Sequence, residues 1–439
     1  MKPFFSAILI VFMAYQSVQA QFSFNGQILN RSEYRHGYGT LIDTSASAAF
    51  SIGQRSRLTA AYATEKARFA LSLQDIRTWG NTPQANSTDG YLSLHEAYLE
   101  ILFNDKLSAK IGRQELDYDD ARFLGNLDWV LQARSHDIAL LKYADTTQQL
   151  QIHAAFAYNQ TGDFLSGSYY SLSNQYKIAQ MLWINKKWNN WTMGFLLWNN
   201  GLQADSSIVH REKVNYTTTL GIPICQYKLK NFALQGFFYY RLGRDIKNKE
   251  LAAIDASAEL NYNKKLNAEK NNKIGLSIGF EYLSGTSQTD TANHKSQSFN
   301  PLYGTNHRHN GYMDYFYVGG RHISSVGLID AYLNLKYDLN AKVFLGGSLH
   351  YFSAAQDIKD PQLSNYQAAD PYLGTEIDLS AGYRFSESVS FQAGYSQLFA
   401  ANSLALLRNI SAEANTQNWA YLAILFRPSM KNKFTGLKW

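Results

Sequence analysis

The sequence predicts an all-β fold, a transmembrane antiparallel up-and-down barrel of about eighteen strands. Three observations predict it: an export signal at the N-terminus, apolar residues that recur with period two, and a composition rich in aromatics yet polar overall. The signal comes first in the chain. Met1-Lys2 gives a short positive region, and Phe4 to Tyr15 an apolar core too short to span a bilayer. Val18 and Ala20 supply small residues at the −3 and −1 positions of a signal peptidase site. Residues 1–20 are therefore expected to be a cleaved signal peptide, with the barrel over residues 21–439.

Composition narrows the class. The 439 residues include 30 Tyr, 25 Phe and 8 Trp, yet the hydrophobic fraction is only 45% and the mean hydropathy is −0.32. After the signal no apolar run is long enough for a membrane helix. Proline is scarce, with 7 residues, and no linker divides the chain. A transmembrane barrel reconciles many aromatics with many polar residues, because one face of each strand meets lipid and the other meets water. The single Cys225 excludes an intramolecular disulfide, so it reads as a small apolar strand residue. A net charge of +6, spread along the chain, does not suggest nucleic acid and is compatible with a lumen that attracts anions.

Alternation then places the strands, since successive side chains point to opposite faces. In the first, Phe22, Phe24, Ile28 and Tyr34 oppose Gln27, Arg31, Glu33 and Arg35. In the next, Phe50, Ile52, Leu58 and Tyr62 oppose Arg55 and Arg57, and Phe69, Leu71 and Leu73 then oppose Arg68 and Gln74. Leu99 and Ile101 oppose Glu96, Tyr98 and Glu100. The pattern is clearest near the C-terminal end, where Ile377, Leu379, Ala381, Tyr383 and Phe385 oppose Glu376, Asp378, Ser380 and Arg384. Ser135–Tyr143 alternates poorly, and Tyr312–Gly319 reads either as a strand or as an inward-folded loop. Tyr34, Tyr62, Tyr282, Tyr337, Tyr383 and Trp419 fall near strand ends, where aromatic girdles sit. Short turns such as Phe385-Ser386-Glu387-Ser388 alternate with longer polar stretches such as Ser284–Asn300, as in a meandering barrel. A barrel of this size encloses water, whereas about eight strands would fill with side chains.

Two stretches break the alternation. Ile111–Asp137 combines Arg113, Arg122 and Arg134 with Glu115, Asp117, Asp119, Asp120, Asp128 and Asp137. Such pairs can hold an inward-folded loop and shape a constriction; the same charges also suit a solvated external loop. Phe299–Gly320 is dense in Gly, Pro, Tyr and Asn and implies a structured, turn-rich loop. At these stretches the sequence resembles the alginate export family of outer-membrane barrels. The matching residues are Gly112-Arg113-Gln114, Arg122, Gly125, Asp128-Trp129, Arg134 and Asp137, then Phe299, Leu302-Tyr303-Gly304-Thr305, His307, Gly311-Tyr312-Met313-Asp314 and Phe316, with Glu281-Tyr282-Leu283-Ser284-Gly285 also fitting. The resemblance implies a monomeric eighteen-stranded barrel in the outer membrane, its lumen lined by arginines that pass an anionic polysaccharide such as alginate.

The expected lumen residues are Arg113, Arg122 and Arg134 from the resemblance, and Arg31, Arg35, Arg55, Arg57, Arg68 and Arg384 from alternation. Glu96, Glu100 and Asp128 join them, so the lumen carries both signs. Guanidinium groups suit uronate or phosphate because they stay charged and bind carboxylates bidentately. No GxSxG, Walker loop, dinucleotide fingerprint or CxxC is present, so neither catalysis nor a cofactor is expected. His307 and His309 form an HxH pair without a third defined ligand, so no metal is expected either. The expected partners are outer-membrane lipid and an anionic or polar solute, with no nucleic acid. A second reading is a structural or surface-binding barrel without transport, offering long loops such as Ser284–Asn310 to a partner.

Overall fold

The computed structural model describes residues 21–438, apart from 44, 87, 89, 171, 173–174, 204–212, 268, 291–294, 318–324, 363–366, 411–415 and 429–433. The expected signal at residues 1–20 lies outside the described residues. The strands are β1 (Gln21–His36), β2 (Ala49–Ala63), β3 (Ala67–Thr78), β4 (Leu92–Leu102), β5 (Leu107–Gln114) and β6 (His136–Asp145). Then come β7 (Leu150–Tyr158), β8 (Ile178–Trp188), β9 (Trp191–Gln203), β10 (Val214–Leu229), β11 (Phe232–Arg244) and β12 (Glu250–Asn267). The last six are β13 (Asn272–Leu283), β14 (Leu328–Asp338), β15 (Val343–Ser353), β16 (Tyr372–Arg384), β17 (Val389–Ala400) and β18 (Thr416–Phe426).

All eighteen strands form one sheet in which sequence neighbours pair, and β1 also pairs antiparallel with β18 to close it. Closure matters in a bilayer, where an open edge would leave N–H and C=O groups without partners. Residues 64–66 and 385–388 are among the short connections at one end; 115–135 and 284–327 are among the long ones at the other. In barrels of this kind the short turns face the periplasm and the long loops face outward.

The outer face carries exposed Phe22, Phe24, Leu58, Leu99, Ile111, Phe280, Leu333 and Leu379. Such a band of apolar side chains suits a lipid surround, since each gains roughly 1.5–3 kcal/mol when taken from water. The inward face is polar and yet largely buried, with Arg55 0%, Asp255 0% and Glu376 0% exposed. The reason is that chain returns into the barrel. Residues 115–135, 299–317 and 434–438 bring Trp129, Phe299, Met313, Tyr315 and Phe434 inside, and the hydrophobic cluster of the molecule sits there.

This filling explains where alternation misleads. Residues 312–317 are an irregular inward-folded segment, not a strand. In β6 the inward residues Ile138 and Leu140 are apolar because they pack on the returning chain, so both faces of that strand read alike. Trp419 lies inside the barrel, fully buried, and stacks near Tyr421, Tyr38 and Trp129. It belongs to the lumen and not to an aromatic girdle.

Candidate functional site: the filled lumen

Residues 115–135 enter the barrel against β1 and β2, whose inward arginines receive them. Asp128 Oδ1 accepts from Arg55 Nη2 at 2.7 Å, and its Oδ2 lies 2.8 Å from Arg427 Nη1. Burial alone would raise the Asp128 carboxyl, but Arg55, Arg427 and Arg57 hold it down at about 2. Arg31 donates to the Trp129 carbonyl at 2.7 Å and lies over the indole, 4.1 Å from its centroid. Arg57 donates twice to Gln74 Oε1, at 2.8 and 3.1 Å, and stands 3.8 Å from Glu115. His95 Nε2 meets Glu115 Oε1 at 2.7 Å, and Glu96 Oε1 accepts the Glu115 N–H at 3.1 Å. His95, Glu96 and Glu115 are grouped closely enough to hold a metal ion. Their atoms are engaged within the protein, however, with Ser135 Oγ on the other imidazole nitrogen at 3.1 Å.

Residues 299–317 are held differently. Asn310 Nδ2 donates to Glu281 of β13 at 2.7 Å and to Asp330 of β14 at 3.1 Å. The Met313 N–H donates to Glu376 of β16 at 2.8 Å, and His350 of β15 meets Asp330 at 2.9 Å. Arg122 ties the two segments together. Its Nε lies 2.7 Å from Glu281 and 3.4 Å from Asp255, while Nη2 donates to Asn310 Oδ1 at 3.0 Å. Arg134 crosses the same junction and donates to the carbonyls of Tyr303, Gly304 and Gly125. Desolvated there by the surrounding chain, its guanidinium is lowered to about 10. Gly125 permits the approach, since a Cβ would stand 2.3 Å from Thr305 Oγ1. His307 is spoken for: Nδ1 meets Asp314 at 2.8 Å and its ring stacks on Trp129 with centroids 4.1 Å apart.

The structure therefore sorts the expected lumen residues by role. Arg31, Arg55, Arg57, Arg122, Arg134 and Asp128 meet inside the barrel and anchor returning chain. Arg35 faces inward, paired with Glu33 at 2.9 Å. Arg68 and Arg384 face inward near the short-turn rim. Arg68 is half-exposed and 3.5 Å from Glu100, and Arg384 lies over Phe434 at 5.3 Å. Glu96 and Glu100 are inward as expected. Arg113 is not. It pairs across from Ala97 and Asp137 and shares its face with Ile111, so it points outward, bound to Asp137 at 2.8 Å. Matching the family motif did not fix its side; register does.

Between the plug and the short-turn rim the lumen is open. One cavity of about 650 Å³ borders Asp119, Trp183, Gln226, Gln235 and Glu259. A second of about 810 Å³ borders Asp120, Glu259, Asn261, Ser277, Asn334 and Lys336. Amides line the first wall together with charges of both signs, and lysines such as Lys264, Lys265 and Lys273 add to the second. Asp119 accepts from Trp183 Nε1 at 3.1 Å; its carboxyl is open to the cavity, yet the surrounding wall desolvates it and pushes it up to about 7, with Asp120 adding to the rise. The sequence carries a sign of Glu259, which was not among the expected residues: it alternates with Asp255 and Ser257 on the inward face of β12. There is no such sign of Arg427 or Lys438, which follow the last strand.

The comparisons with known proteins agree with this geometry. The model of the alginate export family matches residues 21–158. No protein with a curated description matches the chain significantly. Among solved structures, Pseudomonas aeruginosa OccK9 (OpdG) is similar with a TM-score of 0.58 at 11% identity, over 92% of this chain and 98% of that one. Acinetobacter baumannii OccAB1 gives 0.58 at 12% identity, over 92% and 96%. Pseudomonas aeruginosa OpdO gives 0.55 at 12%, over 92% and 96%. The chain thus shares the closed antiparallel β-barrel fold of these structures, and its residues 21–158 match the alginate export family model.

Proposed function

We propose that the protein is an outer-membrane channel for diffusion or export of anionic or polar solutes, with an anionic polysaccharide such as alginate as the finer candidate. We further take residues 1–20 as a cleaved signal, residues 21–439 as one barrel domain, and the working unit as a monomer. The observation that carries the reading is a closed barrel with a polar inner wall and cavities of about 650 and 810 Å³ between the returning chain and the short-turn rim. A barrel built only for rigidity needs no such space. In this reading Arg68 and Arg384 meet the solute at the short-turn mouth. Arg31, Arg55, Arg57, Arg122, Arg134 and Asp128 set the constriction by holding chain in it, with Arg35, Glu96 and Glu100 on the wall.

The match to the alginate export family supports an anionic cargo, and inward arginines suit carboxylates. The inward carboxylates Asp255, Glu281, Asp330, Glu376 and Asp378 weigh against strong anion selectivity. Swelling of liposomes loaded with purified protein tests the proposal. Swelling in oligouronates and in neutral sugars of equal size, faster for the oligouronates, is the expected result. No swelling in either would remove the channel reading, and equal rates would remove only the anionic preference.

A further inference from the structure

The chain beyond β18 is bound inside the lumen at several points. Phe434 packs edge-on against Phe344 with centroids 4.8 Å apart. Thr435 exchanges two hydrogen bonds with Gln392 of β17, donating its N–H at 3.0 Å and accepting at its carbonyl at 2.8 Å. Gly436 has φ +74°, and a Cβ there would stand 2.1 Å from the Trp129 ring, so the tail passes only as glycine. At its end, Lys438 Nζ lies 2.9 Å from Glu259 Oε2 and 3.7 Å from the centroid of the Tyr332 ring.

The wall at this point is a built receptor for an ammonium group. Glu259 is 5% exposed. Its oxygens are fixed by Gln235 Nε2 at 2.7 Å and by the Tyr332 hydroxyl at 2.8 Å. A carboxylate oriented by two donors, with an aromatic face alongside, offers a compact ammonium both a charge-assisted hydrogen bond and a cation–π contact. Left empty, Glu259 would be a nearly buried charge without its cation, which is costly. Lys438 also borders both cavities, together with Asp120 and His309 of the returning segments. The Lys438 side chain thus stands between them.

We propose that Glu259 and Tyr332 form a primary-alkylammonium site on the lumen wall, filled by the chain's own Lys438, so that the tail is a tethered stopper which soluble alkylammonium displaces. The binding part stands alone; the stopper part rests on the channel reading. The probe is n-butylammonium, titrated calorimetrically into folded, detergent-solubilised protein. Lys438→Ala should bind it at least tenfold more tightly than wild type, and Lys438→Ala/Glu259→Gln should lose that binding. Gly436→Val, which unseats the tail without touching the site, should bind like Lys438→Ala. Failure of both released variants to bind, or binding untouched by Glu259→Gln, overturns the site. In planar bilayers both released variants should conduct severalfold more than wild type, and n-butylammonium should raise wild-type current but reduce theirs. Equal conductance in all three overturns the stopper, whereas absence of current in every variant counts against the channel reading and leaves the calorimetric result to decide the site.

Discussion

Residues 115–135 and 299–317 fill the same lumen but are gripped by opposite chemistry. The first offers a carboxylate, Asp128, to wall and tail arginines, Arg55 and Arg427. The second offers amides and backbone N–H groups, through Asn310 and Met313, to the wall carboxylates Glu281, Asp330 and Glu376. Arg122, lent by the first segment, meets Asp255 and Glu281 in the second segment's seat. One segment can therefore be loosened without the other only if Arg122 stays in place.

The largest effect should come from removing that link. Arg122→Ala leaves two buried carboxylates facing each other and should cost about 3–5 kcal/mol, read as a lower urea midpoint for the refolded barrel. Limited proteolysis should then cut within both segments. Asp128→Ala should release only the first, at about 2–3 kcal/mol, with new cleavage confined to residues 115–135. Cleavage in 299–317 as well would break the comparison.

Acid provides a graded version of the same release. Because Asp128 is held at about 2, below its ordinary 3.8, its contribution to stability is present above about pH 4. It is lost as the pH falls from there through about 2. Protease protection of residues 115–135 should follow that window, and Asp128→Asn should abolish the dependence. A smaller effect concerns the open cavity. Asp119, raised to about 7, is neutral below that pH and charged above it, so anion current should fall as the pH rises through 7. Asp119→Asn should flatten this step. The smallest effect belongs to Arg113→Ala, which should alter neither ion selectivity nor stability by more than about 0.5 kcal/mol, because its partner Asp137 is exposed on the outer face.

Much of the wall was legible in the sequence. Period-two alternation put Arg31, Glu33, Arg55, Arg57, Glu376 and Asp378 on the inner face, and the structure has them there. The two stretches that broke alternation are the ones that return into the barrel. What alternation could not say is which inward charges stay free, because that depends on chain arriving from far away. Arg122 and Asn310 are 188 positions apart, and nothing local to either marks the other as its partner. The same distance problem hid the tail, whose Lys438 follows the last alternating strand. Trp419 was misplaced for a related reason: a strand-end tryptophan suits a girdle or a packed lumen equally well, and only the returning chain decides.

In the reading proposed above, this barrel is a conduit narrowed by chain that its own wall charges hold in place. Single-channel conductance in planar bilayers, compared between wild type and Asp128→Ala at pH 7, tests it most directly. The wild type should show small discrete openings, and the variant openings severalfold larger. Identical conductance in both, or silence in both despite folded protein, would contradict it.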